Sequence, residues 1–216
     1  MGVRSLWRIA ITACLVVVAG PLTGSAGEFE DKILEELNRA RTMPDAYIKQ
    51  LKERHQKDFY KGNTFEPPGA VPLTTKEGFA AVEAAIKDLE AIQGLDKATG
   101  PGQEGKRPET FRLSTGMSKA ALDHAKDPSS DRPGNEAHIG SDGSRVDQRI
   151  AKHGDPRLIV QEGNRTFTSR GSAENIGFGT TAQQIVERLI IDDGISTTNP
   201  GHRRNILASQ HLSKRL

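Results

Sequence analysis

The stretch that most constrains this chain is residues 171–207, GSAENIGFGTTAQQIVERLIIDDGISTTNPGHRRNIL. Ile185, Val186, Leu189 and Ile190 recur at helical spacing and make one apolar face. The spacing predicts a short amphipathic helix that runs out at Ile191. Asp192 and Asp193 follow it directly. There they face the negative end of the helix dipole, where an exposed carboxylate costs roughly 0.3–1 kcal/mol. Stability alone gives no reason for them. Gly194 suits the left-handed turn that ends a helix. Glu174 reads as part of a tight Gly-flanked turn, and His202 belongs to a Gly-His-Arg-Arg-Asn segment. The expectation is that Glu174, Asp192 and His202 each stand just outside a regular element, where binding and catalytic residues are usually presented.

The N-terminus reads as a separate segment. Arg4 and Arg8 give a basic start, residues 9–19 an apolar run, and Gly24-Ser25-Ala26 a small-residue end. That order is a secretory signal peptide over residues 1–26, and the run is too short for a spanning helix of about 20 residues. The expected product is secreted, extracellular or periplasmic, with no stable membrane insertion. Without residues 1–26 the chain has 28 Lys and Arg against 28 Asp and Glu. A formally neutral protein gives no argument for a nucleic-acid partner. The only cysteine, Cys14, lies in the same segment. The remainder therefore has no disulfide, no thiol nucleophile and no Cys-based zinc site.

Along the chain, Phe29, Ile33, Leu37 and Ala40 make one buried stripe and predict a helix over 28–41. Pro44 suits the first turn of a second helix carrying Tyr47, Ile48 and Leu51. Residues 61–72 read as a Gly/Pro loop. Thr74-x-x-Glu77 reads as a capping box opening a helix with Phe79, Val82, Ile86 and Leu89 inward and Gly94 at its end. Residues 95–112 look like an exposed connector. A helix with Met117, Ala120, Ala121 and Ala125 is expected over 113–126, then a polar loop. Asp142 or Ser144 would cap a helix through Val146 and Ile150 that ends near Gly154. Leu158-Ile159-Val160 predicts a short strand. Asn164-Arg165-Thr166 is a glycosylation sequon, meaningful only in a eukaryotic secretory host. Helices around a modest sheet make the class α+β. The expected organisation is a helical part with its connector over 27–112 and a core over 113–216, together one domain.

Four segments in order carry a resemblance. They are His138-Ile139-Gly140-Ser141-Asp142-Gly143-Ser144, Ala173-Glu174-Asn175-Ile176-Gly177-Phe178-Gly179, Ile191-Asp192-Asp193-Gly194 and Gly201-His202-Arg203-Arg204-Asn205-Ile206-Leu207. Together they resemble the CAP superfamily of cysteine-rich secretory, antigen 5 and pathogenesis-related proteins, in particular its secreted microbial SCP-like branch. Leu37-Asn38-Arg39-Ala40-Arg41-Thr42-x-Pro44 is similar to that branch's opening helix. The resemblance implies an α-β-α sandwich whose central cleft carries two histidines and two acids. By motif these are His138, His202, Glu174 and, three residues after a helix Trp that is Leu189 here, Asp192. The four would form a site for Zn2+ or another divalent cation. In the family further strands follow the Gly-His-x-x-Asn segment. Here the nine residues 208–216 make a poor strand, so the C-terminal strands appear missing. An open sheet edge favours self-association.

The resemblance implies an extracellular binding module for a lipid, sterol, protein or divalent-cation ligand rather than an enzyme. The alternative is a metal-dependent hydrolase of peptides or esters, with Glu174 or Asp192 as the catalytic carboxylate. Against it, the chain has no Gly-x-Ser-x-Gly elbow and no His-Glu-x-x-His helix. Each residue also has a plainer reading: the histidines as solvated loop residues, Glu174 as a turn acceptor, Asp193 as a cap of the next turn, Arg203 and Arg204 as solvated. His55, His124, His153 and His211 carry no motif. The N-terminal order predicts cleavage after Ala26, so mass spectrometry of the exported protein should show a chain starting at Gly27. An exported chain retaining Met1 would overturn that expectation.

Overall fold

The computed structural model describes residues 13–19, 26–94, 110–153, 158–162, 165–169, 172–194 and 201–207. It mixes helices with small sheets, as an α+β chain should. The chain divides into two compact units, Met1–Leu15 with Ser114–Glu174, and Val16–Leu113 with Asn175–Leu216. No helix among the described residues is long and apolar enough to cross a membrane. The sequon at Asn164, the connector over 95–109 and the expected loss of strands beyond Leu207 fall outside the described residues.

The larger unit is helical. Helices α1 (Ala26–Thr42), α2 (Pro44–Arg54), α3 (Phe79–Gly94), α6 (Ala182–Ile191) and α7 (Gly201–Leu207) share one apolar core. Ile33, Leu37 and Ala40 of α1 meet Tyr47, Ile48 and Leu51 of α2, Val82, Ile86 and Leu89 of α3, and Ile185, Val186, Leu189 and Ile190 of α6. These are the stripes that the 3.6-residue period marks in the sequence. Between α2 and α3 the chain forms β2 (Tyr60–Lys61), β3 (Thr64–Phe65) and β4 (Leu73–Thr74), paired antiparallel in that order. The expected Gly/Pro loop is thus a small meander. Strands of two residues leave no alternation to read.

The expected capping box does not form. Thr74 lies in β4, and the backbone N–H groups of Lys76 and Glu77 donate to the two carboxyl oxygens of Asp193, each at 2.8 Å. Asp193 therefore ties the entry of α3 to the end of α6; residues 195–200, whose turn the sequence expects it to cap, lie outside the described residues. A second long-range tie fixes residues 110–113. Asn38 accepts from Phe111 N at 2.6 Å and donates to Phe111 O at 3.0 Å, and the Arg41 guanidinium lies 3.8 Å from the Phe111 ring centroid.

The smaller unit contains α4 (Thr115–Ala125), α5 (Val146–His153) and the hairpin of β5 (Leu158–Glu162) with β6 (Arg165–Ser169). Ser114 caps α4 by accepting from Met117 N. Short 3-10 turns, Pro128–Asp131 and Gly134–His138, break the expected polar loop. Asp142 accepts from Ser144 N at 2.8 Å and so closes a turn ahead of α5; the reach back to Arg145 N comes from Gln148.

Strand β7 (Ser172–Phe178) pairs with β1 (Ala13–Ala19), and the division between the units falls within both strands. Glu174 therefore stands in a strand and not in a tight turn. β7 is buried at every position from Glu174 to Gly177. A Cβ on Gly177 would meet Ile185 Cγ2 at 2.9 Å and Leu189 at 3.3 Å, so the strand sits against α6 at a distance only glycine allows. Gly177→Ala should cost about 1–3 kcal/mol through overpacking, read as a lowered urea midpoint. An unchanged midpoint would mean that Ile185 and Leu189 yield at no cost.

Candidate functional site

Two of the sequence-marked histidines each contact the acid marked with them. In the smaller unit, His138 closes the 3-10 turn Gly134–His138 and its Nδ1 lies 2.8 Å from Glu174 Oε2. In the larger unit, His202 stands in the first turn of α7 and its Nδ1 lies 2.8 Å from Asp192 Oδ1. His202 is thus inside a helix, where the sequence placed it outside. Each pair is built within its own unit.

Glu174 is a hub. Arg149 Nη2 donates to its Oε1 at 2.7 Å, and His124 Nε2 lies 3.8 Å from its Oε2. Burial of the Glu174 carboxyl works to raise its pKa. The hydrogen bonds from His138 and Arg149 and the nearby charges outweigh that, and the net shift is downward. Glu174 is therefore ionised at neutral pH and can only accept, which makes His138 Nδ1 the donor; in the neutral ring the lone pair is then on Nε2. Arg149 is itself buried and anchored, through Nη1 to Ser144 O at 2.7 Å and Nη2 to His138 O at 3.3 Å. Gly140 lets this segment close up, since a Cβ there would meet Ser144 Oγ at 2.6 Å and Asp142 Oδ1 at 2.7 Å.

Asp192 caps α6 in the left-handed region, with φ 57° and ψ 40°; it has the only positive φ among the described non-glycine residues. Such a conformation costs of order 1–3 kcal/mol and persists where neighbours over-determine it. Here they do. Oδ1 takes the His202 ring, and Oδ2 accepts from Arg203 N at 3.1 Å. Arg203, expected in solvent, is 1 % exposed. Its Nε donates to Asp88 Oδ2 at 2.8 Å, and Nη1 donates to the carbonyls of Ile190 and Ile191, both at 2.9 Å. The guanidinium thereby caps the last carbonyls of α6, which is what opposes the unfavourable charges after that helix.

In both pairs the acid is enclosed and the ring is reachable. The side chains of His138 and His202 are 35% and 21% exposed, those of Glu174 and Asp192 2% and 0%. Both oxygens of each acid are engaged by protein donors. The acids thus orient the imidazoles, and Nε2 of each ring has no protein partner among the described residues. A carboxylate–imidazole pair of this kind fixes the ring's orientation and turns its outer nitrogen outward, the arrangement that supports a metal ligand or a general base. Among the described residues no group of three or more His, Cys, Asp or Glu side chains is gathered around a metal position.

The sequence missed two other histidines. His124, 1% exposed, donates from Nε2 to Ala137 O at 2.8 Å beside Glu174. Its helical position, i+4 from the buried Ala120, is the signal that could have placed it inward. His55 follows α2. Its Nδ1 lies 2.8 Å from Tyr60 Oη, and its Nε2 lies 3.7 Å from Glu187, an acid also bound by Gln50 at 2.7 Å and Arg54 at 3.0 Å. Glu187 lies within the apolar-faced helix α6, and nothing in the local sequence marks it.

Burial also works to raise Glu187, and the nearby His55 ring, hydrogen bonds from Gln50 and Arg54 and the Arg54 charge bring it below 4.5. For both Glu174 and Glu187 the folded-state pKa lies below the ordinary 4.5. Their contribution to stability is therefore complete above about pH 4.5 and is lost as pH falls through the lower folded-state values. Urea unfolding of wild type should weaken steeply below pH 4.5. Glu174→Gln should be less stable at pH 7, since Arg149 loses its counter-charge, and should show a shallower acid limb, the remainder being due to Glu187. An acid limb parallel to that of wild type would rule this out.

Comparisons of the chain with family models, with curated proteins and with solved structures found no match.

Proposed function

We propose that this chain is a secreted, CAP-type binding module of α-β-α build in which His138 and His202, each oriented by its own buried acid, each offer a ring nitrogen to a divalent cation, and that its ligand is a lipid, sterol or protein. The observation that carries this reading is that the residues singled out by four motifs fall into two buried-acid–histidine pairs at 2.8 Å. In this reading His138 and His202 bind through Nε2, and Glu174 and Asp192 hold the rings. Zinc and related ions accept neutral imidazole nitrogen, so the donor chemistry fits. A bound ion supplies positive charge for an anionic or carbonyl-bearing ligand.

Titration calorimetry with zinc on folded protein tests the reading. Wild type should bind. His138→Ala and His202→Ala should each bind at least about tenfold more weakly, and Glu174→Gln and Asp192→Asn should lose about 10–100-fold, as expected when an orienting partner is removed. Isotherms unchanged in both histidine variants would overturn the proposal. Zinc-dependent turnover of a peptide or ester, lost on chelation, would replace it with the hydrolase.

A further inference from the structure

Strand β7 has its strand neighbour, β1, in residues 13–19, the apolar stretch of the segment expected to leave on export. Residues 175–178 of β7 and 16–19 of β1 belong to the same, larger unit. Among the described residues β7 has no second strand beside it. The backbone N–H and C=O groups that β7 directs at β1 would lose their partners once residues 1–26 are gone, and such an edge is a template for another strand.

The strand seated there says what the edge accepts. Asn175 and Gly177 project to one side of β7. On that side Asn175 Oδ1 accepts from Asn205 Nδ2 of α7 at 2.9 Å, and a Cβ on Gly177 would meet Ile185 of α6 at 2.9 Å. Ile176 projects to the other side and is buried as well. β7 is thus covered on both faces. Strands in such a setting read as continuous apolar runs, without alternation. Ala13-Cys14-Leu15-Val16-Val17-Val18-Ala19 is a run of that kind, with no charge and no proline. Its valines favour an extended backbone, and without proline every N–H is available to a ladder. A second copy cut after Ala26 offers no such strand among the described residues. β5 (Leu158–Glu162) and β6 (Arg165–Ser169) each carry a charge and pair with each other, and β2, β3 and β4 are two residues long. That favours a different polypeptide as the occupant.

We infer that removal of residues 1–26 turns the β7 edge into a docking site for an extended apolar segment of another polypeptide. The segment is uncharged, free of proline and rich in Val or Ile over about six residues, and it binds by strand addition. The inference rests on the secreted reading. Its test uses the full chain with a protease site placed between Ala26 and Gly27, cut and separated from the released fragment. The probe is a fluorescent peptide of residues 13–19 with Cys14→Ser, made soluble by terminal lysines. Anisotropy should show saturable binding with a Kd of order micromolar. Hydrogen exchange at the amides of residues 175–178 should slow at least about tenfold when the peptide is added. The uncut chain, whose edge β1 holds, should bind at least about tenfold more weakly. So should a Val16→Pro/Val17→Pro peptide, because successive N–H groups point to opposite sides and one of the two prolines must fall in the ladder. No saturable binding up to about 100 µM, some hundred times a micromolar Kd, would overturn the site, whether or not the cut chain keeps its helices. Equal binding by the proline peptide or by the uncut chain would do the same, as would a cut chain that sediments as a dimer and takes no peptide. The mass of the exported chain tests the secreted reading separately. A retained Met1 would remove that reading and the inference with it, whereas a chain starting at Gly27 with a failed titration would remove the strand site alone.

Discussion

The buried guanidinium of Arg203 holds together the part of the larger unit on which His202 depends. One side chain, 1% exposed, joins Asp88 of α3, the last carbonyls of α6 and its own helix α7. A buried charge is tolerated only when paired and hydrogen-bonded, and breaking such a pair typically costs 3–5 kcal/mol. The same helix end carries Asp192 in a left-handed conformation that the chain would otherwise avoid. Arg203 N and the His202 ring hold that carboxylate in place, and it in turn holds the ring. The orientation of His202 is thus the last step of a sequence that starts with burial of a neighbouring arginine.

Glu174 and Glu187 repeat the device with different consequences. Each is a buried carboxylate compensated by an arginine and at least one histidine. What separates a candidate site from a structural cluster is the state of the imidazole. His55 has Nδ1 on Tyr60 Oη and Nε2 facing Glu187, and it is stacked on Phe65 at a centroid distance of 4.7 Å. Both of its nitrogens are turned to the protein. His138 and His202 each commit one nitrogen and keep the other free at a partly exposed edge. Burial of a titratable group alone would have ranked all three clusters alike; accessibility of the second nitrogen distinguishes them.

The sequence showed what repeats along a helix and hid what is tied across the fold. The stripes of α1, α3 and α6 were legible because 3.6-residue spacing is a local property. So was Pro44 at the start of α2. Three-dimensional ties were not. Asp193 follows α6 but serves Lys76 and Glu77, more than a hundred residues earlier. Arg203 reads as a solvated basic residue until α3 supplies Asp88. Thr74 and Glu77 have the spacing of a capping box, yet pairing of β4 with β3 takes Thr74 into a strand. Glu174 between small residues reads as a turn, because a strand buried at consecutive positions has no alternation to betray it.

Residues 13–19 bear two readings that exclude each other in one molecule. As sequence, Ala13-Cys14-Leu15-Val16-Val17-Val18-Ala19 is the apolar centre of a signal peptide. In the structure the same residues are β1, the strand paired with β7. The physical reason is shared: a run of valines is apolar enough for an export signal and β-branched enough to form a strand. Among the described residues β7 has no other strand beside it. A chain cut after Ala26 would therefore present the backbone N–H and C=O groups of β7, including the strand position of Glu174, without a neighbour. Such groups must find water, another segment or another molecule. Association through the edge of β7 is therefore what removal of residues 1–26 would favour.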